Sequence, residues 1–248
     1  MIQRKIKNKW ARFWMRYAGL STSGRIATYL SAWFSPPYKG RCYLAHLTAR
    51  PYIAPSASIY HDDLYLDASV FIGDRVEIYQ GKNGGPVKIG KGTHIHRDCI
   101  IETGADGSLT IGADTHIQPR CQFSAYKGSI EIGNGVQIAP NCAFYPYNHK
   151  FAPNETIKTQ PLQTKGGIVI NDDAWLGVGV IVLDKVRIGM GAMVGAGSVV
   201  TRDIPEGAVA VGVPAHVVKM RSDLGSNNYA KQDTLIKHEV RAAEGVVE

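Results

Sequence analysis

Six apolar residues, Ile170, Leu176, Val182, Ile188, Val194 and Val200, recur at an unbroken six-residue period. An α-helix repeats every 3.6 residues and a strand every 2, so neither produces this spacing. Glycine follows three of the six (Gly177, Gly189, Gly195). Four places after each comes a small or β-branched residue: Ala174, Val180, Val186, Ala192, Ser198 and Ile204. Such a hexapeptide describes one flat side of a three-sided parallel β-helix, and three of them close one coil. The phrase that starts at Ile170 restarts three hexapeptides on, at Ile188. The long residue points into the prism, the glycine allows the corner, and the small residue fills the remaining interior.

The repeat extends well upstream. Val87-Lys88-Ile89-Gly90, Leu109-Thr110-Ile111-Gly112 and Ile130-Glu131-Ile132-Gly133 each open a coil. The intervals between them exceed three hexapeptides, so each coil carries a three- or four-residue bulge at one corner. The fourth copy, Ile168-Val169-Ile170-Asn171, comes later still. Twenty residues beyond a plain coil separate it from the third copy, and these are expected to loop out over about 145–167. Loops of this length on a rigid scaffold are usually functional. Tyr145, Tyr147, Asn148, His149, Lys150 and three prolines in the segment predict an ordered loop. Cys99, Cys121 and Cys142 fall in the small-residue slot of successive coils and are expected as buried thiols, neither disulfides nor metal ligands.

Three regions follow: a helical basic arm over 1–50, a β-helix over 51–215 with its inserted loop, and a helical tail over 216–248 with a helix expected over 228–243. The arm holds ten Lys and Arg and no acid, the first acid being Asp62, which leaves 18 basic against 21 acidic residues in the rest of the chain. The positive charge thus belongs to the arm, and no nucleic-acid partner is expected. Near the N-terminus Ile2, Ile6, Trp10, Phe13, Trp14 and Tyr17 form one apolar stripe on a helix, with six basic residues largely off it. That composition suits either a helix in the headgroup region of an anionic membrane, through residues 1–20, or a cap on the open end of the prism. No secretory signal or membrane-spanning run is apparent, and the chain reads as cytoplasmic, with peripheral placement on the inner face of the membrane as the alternative.

Over residues 51–220, and most specifically from Ile168 to Lys219, the chain is similar to the hexapeptide-repeat acyltransferases, most of all the galactoside, maltose, nodulation-factor and polysaccharide O-acetyltransferases. The resemblance rests on Asp173-Ala174-Trp175-Leu176-Gly177, on Gly195-Ala196-Gly197-Ser198-Val199-Val200-Thr201-Arg202-Asp203-Ile204-Pro205 and on Gly212-Val213-Pro214-Ala215. It implies an all-β fold, a left-handed parallel β-helix, assembled as a homotrimer with active sites between subunits. Acetyl-CoA is the implied acyl donor, with no metal. Ile138-Ala139-Pro140-Asn141 leading to His149 matches the segment that supplies the general base. The chemistry has the same need: a sugar hydroxyl must lose its proton as it attacks a thioester, and imidazole accepts protons near neutral pH.

The resemblance also assigns the donor side. Trp175 and Gly177 flank the thiol end, with a backbone N–H near Gly177–Val178 facing the oxyanion. Ala196 and Thr201 contact the pantetheine, and Arg202 and Lys219 meet the CoA phosphates. On the acceptor side Gln118-Pro119-Arg120 stands where galactoside acetyltransferases carry an acceptor-binding Asn, which disfavours galactosides and maltose. Tyr147, Asn148, Gln118 and the column His94, His116 and Gln137 are the candidates to line an acceptor pocket. The expected reaction is direct transfer of acetyl to a sugar hydroxyl of a surface polysaccharide (capsule, exopolysaccharide or O-antigen) in a ternary complex. Three alternatives stand beside it: N-acylation of an amino sugar or its nucleotide-linked form, a silent β-helix scaffold, and a γ-class carbonic anhydrase using His94, His96 and His116.

Overall fold

A computed structural model describes residues 2–223, so the helix expected over 228–243 lies outside the described residues. The chain winds as a three-sided prism whose faces are sheets of nine, seven and six strands. The first runs from Tyr52–Ile53 to His216–Met220, the second from Ser58–Tyr60 to Val199–Val200, and the third from Leu64–Leu66 to Arg187–Ile188. Successive coils stack in parallel register. On the first face Ile95, Ile117, Ile138, Leu176 and Val194 form one inward column. The six residues that announce the repeat are each at most 1% exposed. Each inward side chain meets the equivalent residue one coil above and below, which is how a sequence period becomes a continuous core.

The second face carries the longest parallel strands, Ile100–Gly104 and Gln122–Tyr126. Their added residues, with the turns that follow, are the bulges the spacing calls for, at the corner between the second and third faces. The inserted loop leaves the same corner after the strand Ala143–Tyr145 and returns at Ile168–Ile170. It is ordered, as expected. Asn148–His149 pairs antiparallel with Leu162–Gln163. The buried Gln160 side chain bonds Ala152 through both its amide atoms and also donates to the Glu155 carbonyl. Cys99, Cys121 and Cys142 are buried, and each thiol lies within bonding distance of a backbone carbonyl.

Both ends of the prism are covered. At the C-terminal end the chain reverses, and His216–Met220 pairs antiparallel with Ala208–Val211. The helical tail expected from 216 therefore begins as a strand. Val209 and Val211 before the Gly212-Val213-Pro214 turn, and Val217 and Val218 after it, suit a hairpin, and pairing satisfies a ladder edge that a helix would leave open.

At the N-terminal end helix α1 (Ile2–Met15) and helix α2 (Thr22–Ser31) are followed by a 3-10 segment, Tyr38–His46. Ser21 caps α2 by accepting from the Gly24 N–H. Ala11, Met15, Ala18, Leu44 and Ala45 bury against Tyr52 and Phe71 of the first two coils. Arg25 donates to the Pro55 and Ala57 carbonyls, and Arg41 pairs with Asp74 at 3.1 Å. The face that docks is thus the Ala11 and Met15 side of α1, continued by Ala18 just beyond it. The aromatic stripe residues Ile6, Trp10, Phe13 and Tyr17 are exposed, as are Ile26, Tyr29, Trp33 and Phe34. Ala11 lets the helix approach the coil closely, Met15 fills the space beside it, and Trp14 is half-buried. Among the described residues no helix is long and apolar enough to cross a membrane.

Candidate active site

His149 stands on the ordered loop, exposed, and its imidazole makes no hydrogen bond to another described residue. The loop is held from below. Asp184, buried under it, accepts from the Thr164 hydroxyl (3.0 Å) and from the N–H groups of Lys165 (2.6 Å) and Gly167 (3.1 Å). Three charge-assisted bonds to one carboxylate make a rigid hinge for the returning chain. Nothing in the sequence singles out Asp184, because its partners lie about twenty residues away in the loop it anchors.

The donor-side residues fall in three places. Trp175, Gly177, Val178 and, one coil on, Ala196 come together at the corner between the first and second faces. A Cβ at Gly177 would come within 2.6 Å of the Ala196 nitrogen, so close stacking of these coils requires glycine there. The Gly177 N–H donates to the Val194 carbonyl at 2.8 Å and is taken. No carbonyl of the described chain accepts from the Val178 or Ala196 N–H, and both residues are exposed. Thr201 and Arg202, also exposed, follow Val199–Val200 at the other edge of the second face, the edge from which the loop rises. Lys219 shares a register row with Trp175 through Val209 and Met193.

Beside Trp175 lies a cleft of about 300 Å³, lined by Gln137, Asp173, Trp175, Met193 and Arg221. Arg221 donates to the Gly191 carbonyl at 2.7 Å and reaches Asp173 at 3.4 Å. No local pattern marks this residue in the sequence, since it is an arginine just beyond the repeat. A larger open concavity of about 680 Å³, on the third face at Tyr65, Lys88 and Thr110, gathers no histidine or thiol.

The acceptor candidates divide. Tyr147 packs against Tyr126 and Tyr145 (ring centroids 5.8 and 6.1 Å), and its hydroxyl lies 3.5 Å from that of Ser124. Ser124 donates in turn to Glu102 at 3.4 Å. Burial, then Tyr147 and Glu102, raises the Tyr145 phenol. These side chains make an aromatic and acidic surface on the second face at the foot of the loop. Asn148 is exposed next to His149, and Gln118 is half-buried at a corner two residues past His116.

His94, His116 and Gln137 do form a column, and it continues into Trp175. His94, however, is only 7% exposed and packs against the tilted ring of His116 at 4.8 Å beneath the arm, so it does not line an open pocket. The repeat carries no sign of the 3-10 segment that covers it. Burial, then His116, His46 and His96, pushes His94 down to about 4. Burial, then His116 and Lys39, does the same to His96. A γ-class carbonic anhydrase needs its histidines at a subunit interface, whereas the arm of the same chain covers these two.

A family model described as bacterial transferase hexapeptide (six repeats) matches residues 167–202. A galactoside O-acetyltransferase of Lactococcus lactis subsp. lactis (strain IL1403) is 42% identical over 94 residues, 33% of this chain and 45% of that protein. A 2,3,4,5-tetrahydropyridine-2,6-dicarboxylate N-acetyltransferase of Staphylococcus aureus (strain JH9) is 43% identical over 76 residues, 31% and 28% of the two chains. The chain therefore matches less than half the length of these curated relatives. Among solved structures, AntD, an N-acyltransferase from Bacillus cereus in complex with dTDP and 3-hydroxybutyryl-CoA, aligns over 76% of this chain and 88% of its own, at 21% identity and a TM-score of 0.52. The polySia specific acetyltransferase NeuO aligns over 63% and 66%, at 23% identity and a TM-score of 0.51. At these identities the likeness is one of fold. Repeat, prism and relatives together show a left-handed parallel β-helix of hexapeptide repeats, the fold to which the matched transferases are similar.

Proposed function

We propose that this protein is an acetyl-CoA-dependent O-acetyltransferase acting on a sugar hydroxyl in surface polysaccharide biosynthesis. The observation that carries the proposal is His149, an exposed imidazole on a rigidly anchored loop above an aromatic and acidic surface. Tyrosine rings offer apolar faces to a sugar ring, and Glu102 accepts hydrogen bonds from its hydroxyls. The relatives' acyl donors support the donor class: AntD was captured with an acyl-CoA.

In the reaction His149 takes the acceptor proton as the sugar oxygen attacks the thioester carbonyl. The Val178 N–H, unpaired within the described chain, is the candidate donor to the developing oxyanion. Collapse expels CoA thiolate, which receives the proton from the imidazolium. Acetyl passes directly between substrates in a ternary complex, since the three core thiols lie inside the prism. Within one chain, His149 rises from the corner between the second and third faces, opposite the first face that bears Trp175. A homotrimer, in which one copy's loop meets its neighbour's donor corner, would join them. N-acylation uses the same base, and two of the relatives are N-acyltransferases. Thiol release from acetyl-CoA, measured with neutral sugars, amino sugars, nucleotide sugars and lipid-linked glycans, separates the readings. Turnover is expected with hydroxyl acceptors; turnover confined to amino sugars overturns O-acylation, and none with any acceptor overturns the enzyme.

The arm bears on where the acceptor resides. Its outward aromatics, with Trp33 61% exposed, lie among Lys7, Lys9, Arg12 and Arg16, and Lys7 sits over the Phe34 ring. Aromatics ringed by cations complement an anionic lipid surface, consistent with a cytoplasmic enzyme bound peripherally to the inner leaflet. Flotation with anionic vesicles is the check. Salt-sensitive binding that disappears on Trp10→Ala/Trp33→Ala substitution is expected. Indifference to anionic vesicles would assign the stripe to a neighbouring subunit.

A further inference from the structure

The two buried histidines beneath the arm do not stand alone. Cys42, His94 and His96 each offer a ligand atom, and the three atoms lie within 4.8 Å of one another. Cys42 comes from the 3-10 segment Tyr38–His46, and the histidines flank Ile95 on the first face. From the end of the same segment, His46 brings its Nε2 to 3.2 Å from the His94 Nε2. Two nitrogens bound to one tetrahedral zinc at about 2.0–2.1 Å would stand about 3.3–3.4 Å apart. His96 is 4% exposed, yet its Nδ1 has no hydrogen-bond partner. A buried ring nitrogen left without a partner is costly, and a cation would satisfy it.

The segment is drawn onto the histidines at some cost to itself. Tyr38 opens it at a left-handed φ of 62°, a conformation that bulky residues rarely adopt. That turn sets the Tyr38 ring edge-on to His96 at 5.6 Å, and the Arg97 guanidinium lies over the same tyrosine ring, 4.8 Å from its centroid. Ring packing accounts for Tyr38, Phe71 and His116 around the pair. It does not account for a thiol and two almost fully buried imidazoles converging, with a third imidazole, His46, against the His94 ring nitrogen.

We propose that Cys42, His46, His94 and His96 form a structural zinc site that staples the N-terminal arm to the β-helix. One thiolate and three imidazoles are a donor set that suits zinc, filling four tetrahedral positions and leaving none for a water. Binding forms the S–Zn bond as the Cys42 proton leaves to solvent. The ion would connect residues some fifty positions apart, the arm at one end and the third strand of the first face at the other. It sits two coils away from the coil that throws the His149 loop, so its role is to hold the arm and not to take part in transfer. The repeat alone predicts no metal here, because it shows two histidines pointing out of the prism and carries no sign of what covers them.

The test uses full-length protein, stripped with chelator under reducing conditions and titrated with Co²⁺. Binding of one Co²⁺ per chain is expected, with thiolate-to-cobalt charge transfer in the near ultraviolet and the intense visible bands of tetrahedral cobalt, all abolished by added Zn²⁺. Cys42→Ser should remove the charge-transfer band. The exposed position His46 offers a variant that leaves the core intact: His46→Gln should weaken binding at least about tenfold, the lower end of what losing even an outer partner of a metal ligand costs. His149→Ala should bind cobalt as the wild type does. Absence of stoichiometric binding, cobalt bound without the charge-transfer band, a band that survives in Cys42→Ser, or unchanged affinity in His46→Gln each overturns the site.

Discussion

His149→Ala is expected to lower kcat by about 10²–10⁴, the range for loss of a general base. The acetyl-CoA KM and the melting temperature should stay close to those of the wild type. The side chain is exposed and makes no hydrogen bond to another described residue, so its removal opens no cavity and strands no partner. The loop keeps its shape through Gln160 and Asp184, neither of which touches the imidazole. A loss confined to kcat would mark an interaction made only in the transition state. Arg202→Gln provides the contrast. A phosphate contact far from the thioester holds ground and transition states alike, so that variant should raise the KM for acetyl-CoA and spare kcat. If His149→Ala keeps more than about a tenth of wild-type turnover, the base lies elsewhere.

The prism was legible in the sequence almost residue by residue. A six-residue period has one physical interpretation, and every residue it places inside is buried, from Ile170 to Val200. The loop was equally plain, because an interruption in a strict period has a measurable length. Legibility failed where the repeat stops constraining the chain. Helix α1 carries both an Ala11 and Met15 face and an aromatic face, and hydrophobicity alone favours the aromatic one as the docking side. Close approach favours the other: Ala11, Met15 and Ala18 fit against Tyr52 and Phe71. The period puts His94, His116 and Gln137 in one outward column, as the structure has them, yet the first member is covered by a segment about fifty residues away in sequence. Glu102, Ser124 and Tyr126 were missed for a related reason. They occupy outward slots that the period leaves free to vary, and only the position of the loop gives them meaning.

Phe144→Ala is expected to cost about 3–5 kcal/mol, the range for truncating a buried aromatic. That is a large share of the roughly 5–15 kcal/mol that holds a typical fold. Most inward slots of the second face hold Ile or Val, as at Ile78, Ile101, Val182 and Val200. Phe123 and Phe144 are the exceptions, fully buried and stacked with centroids 4.6 Å apart and planes 5° from parallel. Cys121 and Cys142, in the neighbouring small-residue slots, leave room for the two rings. Truncation therefore removes both the ring's burial and its partner's contact, and the parallel stack cannot close the gap without shortening every hydrogen bond around the coil. In a repeat stack the damage spreads mainly to nearest neighbours. Phe144 itself lies in the strand Ala143–Tyr145, which runs directly into the His149 loop. Denaturation at fixed protein concentration should show the loss, and Phe144→Leu should recover much of it by refilling the space. Ile78→Ala, at the arm end of the same face, should destabilise while leaving turnover of the remaining folded enzyme unchanged. Phe144→Ala should reduce both. A loss below about 1 kcal/mol would mean that the coil collapses onto the cavity, contrary to a core built as stacked rungs.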